Sequence, residues 1–168
     1  TMLFLADVEG NTALHYCCRE NGSKHMLEIL LKEVVGNTKR KRKQLTKLIT
    51  ARNKSLQTPL HVACEAGRND LVEVFLSTCK SALLFKVMSL EDIKQETPLL
   101  CSVSNDSFDI VQSMLMWRRN HGHHWQEQEQ SQIYSVAQKS SQANKGNKSA
   151  CPLVWAAKCG NVEMIDLL

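Results

Sequence analysis

Thr58-Pro59-Leu60-His61-Val62-Ala63-Cys64-Glu65-Ala66-Gly67, followed by Leu71-Val72 and Phe75-Leu76, decides the fold. Threonine before proline supplies a side-chain cap and a first-turn residue with no N–H to leave unpaired. Leu60 and the small residues after it predict a helix that neighbours can approach closely. Gly67 stands where that helix must end, and glycine tolerates the left-handed conformation such an ending needs. Leu71-Val72 and Phe75-Leu76 are apolar pairs four residues apart, one stripe of a second helix. Neither helix has enough apolar face to stand alone, so the unit needs neighbours.

Copies of it are present. Thr12-Ala13-Leu14-His15-Tyr16-Cys17-Cys18 leads to Gly22, Met26-Leu27 and Leu30-Leu31. Thr97-Pro98-Leu99-Leu100-Cys101-Ser102-Val103 leads to Ile110-Val111 and Met114-Leu115. Cys151-Pro152-Leu153-Val154-Trp155-Ala156-Ala157 leads to Gly160, Met164-Ile165 and Leu167-Leu168.

Thr-Pro-Leu-His-x-Ala-x-x-x-Gly before Val-x-x-Leu-Leu resembles the ankyrin repeat, and Asp7-Val8-Glu9-Gly10-Asn11-Thr12 resembles the hairpin that precedes it. The resemblance implies an all-α solenoid of stacked helix-turn-helix units with long inserted loops. The ankyrin period is about 33 residues. Here the starts fall at 12, 58, 97 and 151, so the surplus must lie in the connections. The expected layout is repeat 1 at 7–35, a basic insertion at 36–51, repeat 2 at 53–80 and repeat 3 at 92–117. A polar insertion at 118–148 and a truncated repeat 4 at 149–168 follow. Leu56, Gln95 and Ser149 stand in place of the hairpin glycine, so irregular hairpins are expected there. Leu100 and Val154 replace the motif histidine, whose bonds to the loops would be missing. Met2-Leu3-Phe4-Leu5 reads as the tail of an earlier unit and Leu168 falls inside a helix, so a piece of a longer array is expected.

Composition agrees with a packed repeat. Apolar residues make up 43% and aromatic residues 5%, so the core must rest on aliphatic and cysteine side chains. Twenty-one Lys and Arg face seventeen Asp and Glu, but five of the cations are the run Lys39-Arg40-Lys41-Arg42-Lys43. Without that run the chain is slightly acidic, which argues against a nucleic-acid-coating surface. The seven cysteines form no C-x-x-C pair and no disulfide framework, which favours a reducing, cytoplasmic setting. No stretch approaches the ~20 apolar residues that span a bilayer.

The resemblance implies a non-catalytic scaffold that binds a protein on the concave face built from hairpin tips and first helices. Candidate contacts are Tyr16, Arg19, Glu20, Val62, Glu65, Arg68, Asn69, Cys101, Ser104, Asn105, Trp155 and Lys158. Hairpin candidates are Glu9, Asn11, Gln57, Glu96 and Lys148. Tyr16, Arg19 and Trp155 belong to residue types that dominate binding hot spots. Two other settings fit the resemblance. One is the cytosolic ankyrin region of a membrane protein such as a transient-receptor-potential ankyrin-type cation channel; the other is a nuclear or cytosolic inhibitor or cofactor of transcription.

The basic run reads as a solvated loop, a nuclear-import signal, or a contact for phosphate or anionic lipid. It has no interleaved aromatics to support RNA binding. Leu45, Leu48 and Ile49 are spaced for a short helix after it. His121, His123 and His124 have no cysteine pair nearby to complete a zinc site. Cys17, Cys18 and Cys64 stand where small buried residues are wanted, whereas Cys79 and Cys159, near helix ends, are expected to be exposed. His15 and His61 read as loop braces. No nucleophile elbow, zinc-protease or phosphate-loop motif is present, so neither an enzyme nor a cofactor is expected.

Overall fold

A computed structural model describes residues 2–36, 38–105 and 107–121. Its order is a 3₁₀ turn (Met2–Phe4), α1 (Ala13–Cys17), α2 (Lys24–Val34), α3 (Lys39–Ile49), α4 (Pro59–Glu65), α5 (Asn69–Thr78), α6 (Ser81–Met88), α7 (Pro98–Ser104) and α8 (Phe108–His121). The chain divides into two compact bodies, Thr1–Ser113 and Met114–Leu168. The second is described over 114–121, the last turns of α8, where Met114, Leu115 and Trp117 are buried and His121 stacks on Trp117 at 4.7 Å. The polar insertion beyond His121 and the fourth copy, with Lys148, Trp155, Lys158 and Cys159, lie outside the described residues.

In the first body the first helices stack in sequence order, α1 on α4 and α4 on α7, and the second helices α2 and α5 pack side by side. Each element forms for a local reason. Pro59 opens α4, and the Thr58 hydroxyl accepts the His61 N–H. Ser23 caps α2 in the same way, accepting the Met26 N–H. Gly67 ends the first helix at φ +66°, and the chain reverses into α5. The apolar stripes then meet. Leu14, Leu27, Leu31, Leu60, Leu71 and Phe75 are all essentially sealed from solvent.

Two connections are themselves helical. The surplus between the first and second units contains α3, which packs on α2 and buries Leu45, Leu48 and Ile49. The basic run is therefore the first turn and a half of a helix, which corrects its reading as a solvated loop. The surplus between the second and third units contains α6, which buries Leu84, Val87 and Met88 at helical spacing.

Candidate functional site

Three hairpins precede the first helices, and they are built alike. Asp7, Asn53 and Asp92 each lie five residues before the threonine that starts a helix. Their backbone N–H groups donate to the carbonyls of Asn11, Gln57 and Glu96 at 3.0, 3.0 and 2.9 Å. Their side-chain oxygens accept in return. Asp7 Oδ1 takes the Glu9 and Asn11 N–H, Asn53 Oδ1 takes the Gln57 N–H, and Asp92 Oδ1 takes the Lys94 and Glu96 N–H. This is the turn that Asp and Asn side chains favour. It holds Gly10, Leu56 and Gln95 at φ +80°, +59° and +62°. The expectation that loss of the glycine makes the hairpins irregular is corrected for those at Leu56 and Gln95, while Ser149 lies outside the described residues. The carboxylate or amide fixes the turn, and Leu and Gln accept the left-handed conformation at some cost.

Adjacent hairpins are tied together. The Lys54 N–H donates to the Glu9 carbonyl at 2.8 Å, and the Ile93 N–H to the Ser55 carbonyl at 3.0 Å. Two buried imidazoles add a second tie. Thr12 N–H donates to His15 Nδ1 at 3.1 Å, while His15 Nε2 lies 3.0 Å from the Gln57 carbonyl oxygen. Thr58 N–H donates to His61 Nδ1 at 3.1 Å, and His61 Nε2 lies 3.1 Å from the Glu96 carbonyl oxygen. With Nδ1 accepting, the network assigns the proton to Nε2, which donates to the next hairpin. Burial pushes both imidazoles below their ordinary pKa, against the opposing pull of those carbonyls, so the neutral form is held. Arg52 adds a tie, donating to the Leu56 carbonyl at 2.8 Å and also to the Glu91 carbonyl.

On this frame the first helices present their outer sides. Tyr16 is exposed, and its hydroxyl donates to Asp7 Oδ2 at 2.6 Å. That bond, against the opposing effect of desolvation and joined by the Asn11 and Glu9 donors, lowers the Asp7 carboxyl to about 2. The same bond raises the Tyr16 pKa. The Arg19 guanidinium lies 4.2 Å from the centre of the Tyr16 ring. One unit on, Gln57 Nε2 donates to Glu65 Oε2 at 2.8 Å, and in the third unit Ser104 Oγ donates to Glu96 Oε1 at 3.0 Å. The hairpin and the end of the first helix are thus pinned at equivalent positions. Lys54 and Glu9 pair at 3.3 Å across two tips, both well exposed.

The candidates divide by placement. Tyr16, Arg19, Glu20, Glu65, Ser104 and Asn105 are exposed, and Val62 is half-buried. Asn105 Nδ2 donates to the Cys101 carbonyl at 2.9 Å. Cys101, offered as a contact, is buried, a correction that follows from its packing under the stack. Arg68 is committed within the chain. Its Nη1 donates to the Glu20 and Gly22 carbonyls at 2.6 and 2.9 Å, and its Nε and Nη2 grip Asp70 at 2.8 Å each. Asn69 Nδ2 donates to Glu73 at 3.2 Å, and its Oδ1 is buried with no partner among the described residues. Lys39, Arg40, Lys41, Arg42 and Lys43 are exposed on α3, away from this set in sequence.

Two features bear on chemistry. The described cysteines are unpaired and buried, Cys79 among them, which corrects the expectation that it is exposed. Burial pushes the Cys79 and Cys101 thiols up to about 12. Such thiols stay protonated and react poorly. Asp92, Glu96 and Cys101 bring three donor atoms within 4.8 Å of one another. The carboxylate of Asp92 is already engaged by two backbone N–H groups, and Asn53 holds the matching turn without a charge. The turn accounts for the acid.

The reading of the residues missed Asp7, Asn53 and Asp92 as a set. Their constant five-residue lead over Thr12, Thr58 and Thr97 is the signal that finds them.

Paired helices, hairpins tied tip to tip and a buried histidine ladder define a stacked repeat protein. A family model described as ankyrin repeats (3 copies) matches residues 2–82 and 39–129. The chain belongs to the ankyrin-repeat family, whose members generally serve as non-catalytic protein-interaction modules. Among the described residues no helix is long and apolar enough to cross a membrane.

Proposed function

We propose that the chain binds a partner protein on the concave face formed by its hairpins and the outer sides of α1, α4 and α7, without catalysis. The observation that carries this reading is the bracing of that face. Backbone ties between tips and the His15 and His61 bridges fix the spacing of the presented side chains before any partner arrives. Preorganisation of this kind reduces the ordering cost of association. Tyr16, Arg19, Glu20, Val62, Glu65, Ser104 and Asn105 are the contacts proposed, with the Tyr16–Arg19 pair as the anchor. By sequence register alone, Trp155 and Lys158 of the fourth copy are also proposed contacts. The unpaired cysteines support a reducing compartment, and we place the protein in the cytoplasm.

Selection of peptides from a display library against the chain, followed by affinity measurement, tests the reading. Tyr16→Ala with Arg19→Ala should weaken the selected peptides by about tenfold or more. Glu33→Ala, on the exposed side of α2, should leave them unchanged. Equal affinity for all three proteins contradicts the concave-face assignment.

A further inference from the structure

The cations of α3 point to a second surface, independent of the concave face. The apolar stripe of this helix, Leu45, Leu48 and Ile49, is used up against α2. Lys39, Lys43 and Lys47 recur every fourth residue and form a row about 12 Å long on the opposite side, with Arg40 beside it. All four side chains are exposed. The Lys47 ammonium lies 5.1 Å from the centre of the Phe4 ring, which steadies that end of the row.

Little within the described residues neutralises this row. The ion pairs found there, Lys54–Glu9 and Arg68–Asp70, involve none of its members. The first turn of α3 holds no acidic residue, so the helix dipole adds to the positive potential instead of being offset by it. Cations crowded at the positive end of a helix repel one another, and an external array of anions would relieve that repulsion.

We propose that α3 is a docking surface for an anionic lipid bilayer. The row is short, convex and made mainly of lysines, which suits diffuse attraction to a charged plane. Exposed apolar side chains bracket it. Leu5 follows Phe4, and Val35 caps the end of α2 four residues before Lys39. Such side chains favour the boundary between headgroups and acyl chains. A single-stranded nucleic acid fits less well, since no aromatic platform accompanies the run.

Sedimentation of the chain with phosphatidylcholine vesicles, with and without phosphatidylserine, tests this. Binding is expected only with phosphatidylserine, weakening as salt rises. Lys39→Gln/Arg40→Gln/Lys43→Gln should lower partitioning by about 100-fold, at about fivefold per cation. Arg40→Glu alone, a single exposed change, should lower it by about 20-fold. The charge-matched Lys80→Gln/Lys86→Gln/Lys94→Gln should keep binding. Absence of binding, equal binding to neutral vesicles, or the same loss in the charge-matched variant overturns the proposal. So does a duplex oligonucleotide that binds through Lys39–Lys43 at salt concentrations that release the vesicles.

Discussion

His61 and Leu100 hold the same place in adjacent units, three residues after the capping threonine. Both backbone N–H groups reach that threonine's hydroxyl at 3.4 Å, so the helix cap survives the exchange. The hairpins ahead of them are also alike, closed by Asn53 and Asp92 in the same pattern. The link onward is not shared. His61 joins its own threonine's N–H to the Glu96 carbonyl of the next hairpin, and an aliphatic side chain at the half-buried position 100 can join nothing. Cap and hairpin are properties of a short stretch of chain. The imidazole bridge, unlike the backbone ties between tips, is a property of one ring, and it can be lost while the cap and the hairpin remain.

The largest effect should come from making the second unit like the third. His61→Leu leaves the Thr58 N–H and the Glu96 carbonyl without their partner and should cost ~2–4 kcal/mol by urea unfolding. The same variant should flatten the pH dependence. Burial holds both histidines below the ordinary value of 6.5, so the unfolded chain takes up protons first. Their contribution is therefore complete above about pH 6.5 and is lost as pH falls from there towards the lower folded-state values. Urea midpoints measured across that window should fall with acid in the wild type and less steeply in His61→Leu.

Next in size is an exchange between hairpins. A Cβ at Gly10 would meet Asn53 Cα at 3.0 Å, a backbone atom that cannot swing away, and φ there is +80°. Gly10→Leu should cost ~2 kcal/mol, although leucine is what the second hairpin carries at this place. The reverse change sharpens the point. Leu56 is 42% exposed and gains little from burial to offset its positive φ. Leu56→Gly should stabilise by ~0.5–1 kcal/mol, the left-handed penalty less the entropy cost of glycine. Thermal unfolding of both variants checks the pair. The smallest effect on stability is expected for Tyr16→Phe, which keeps the ring beneath Arg19. NMR titration should show the Asp7 carboxyl moving from about 2 towards the ordinary 3.8.

What the sequence made legible is what short-range chemistry dictates. Thr58-Pro59 announces a capped start, Gly67 a reversal, and Leu71, Val72 and Phe75 a buried stripe, and each forms as read. The helices in the surplus segments were harder. Ser81–Met88 repeats its apolar residues at helical spacing, but it falls outside the repeating order and lacks a side-chain cap. The charge of Lys39–Lys43 suggested a loop, because repulsion at a helix N-terminus opposes helix formation; burial of Leu45, Leu48 and Ile49 outweighs it. Arg68 was misleading for a different reason. It sits at a position that faces outward by register, but its length lets it reach back to the Glu20 and Gly22 carbonyls. Long-range partners of that kind leave no trace in local spacing.

His15 and His61 each fasten their own repeat to the hairpin of the next. Long-range ¹H–¹⁵N correlation of the imidazoles tests this most directly. Both rings should be neutral with the proton on Nε2, and should stay neutral as pH falls below 6.5. A proton on Nδ1, or protonation of either ring at or above that pH, would contradict the bridges.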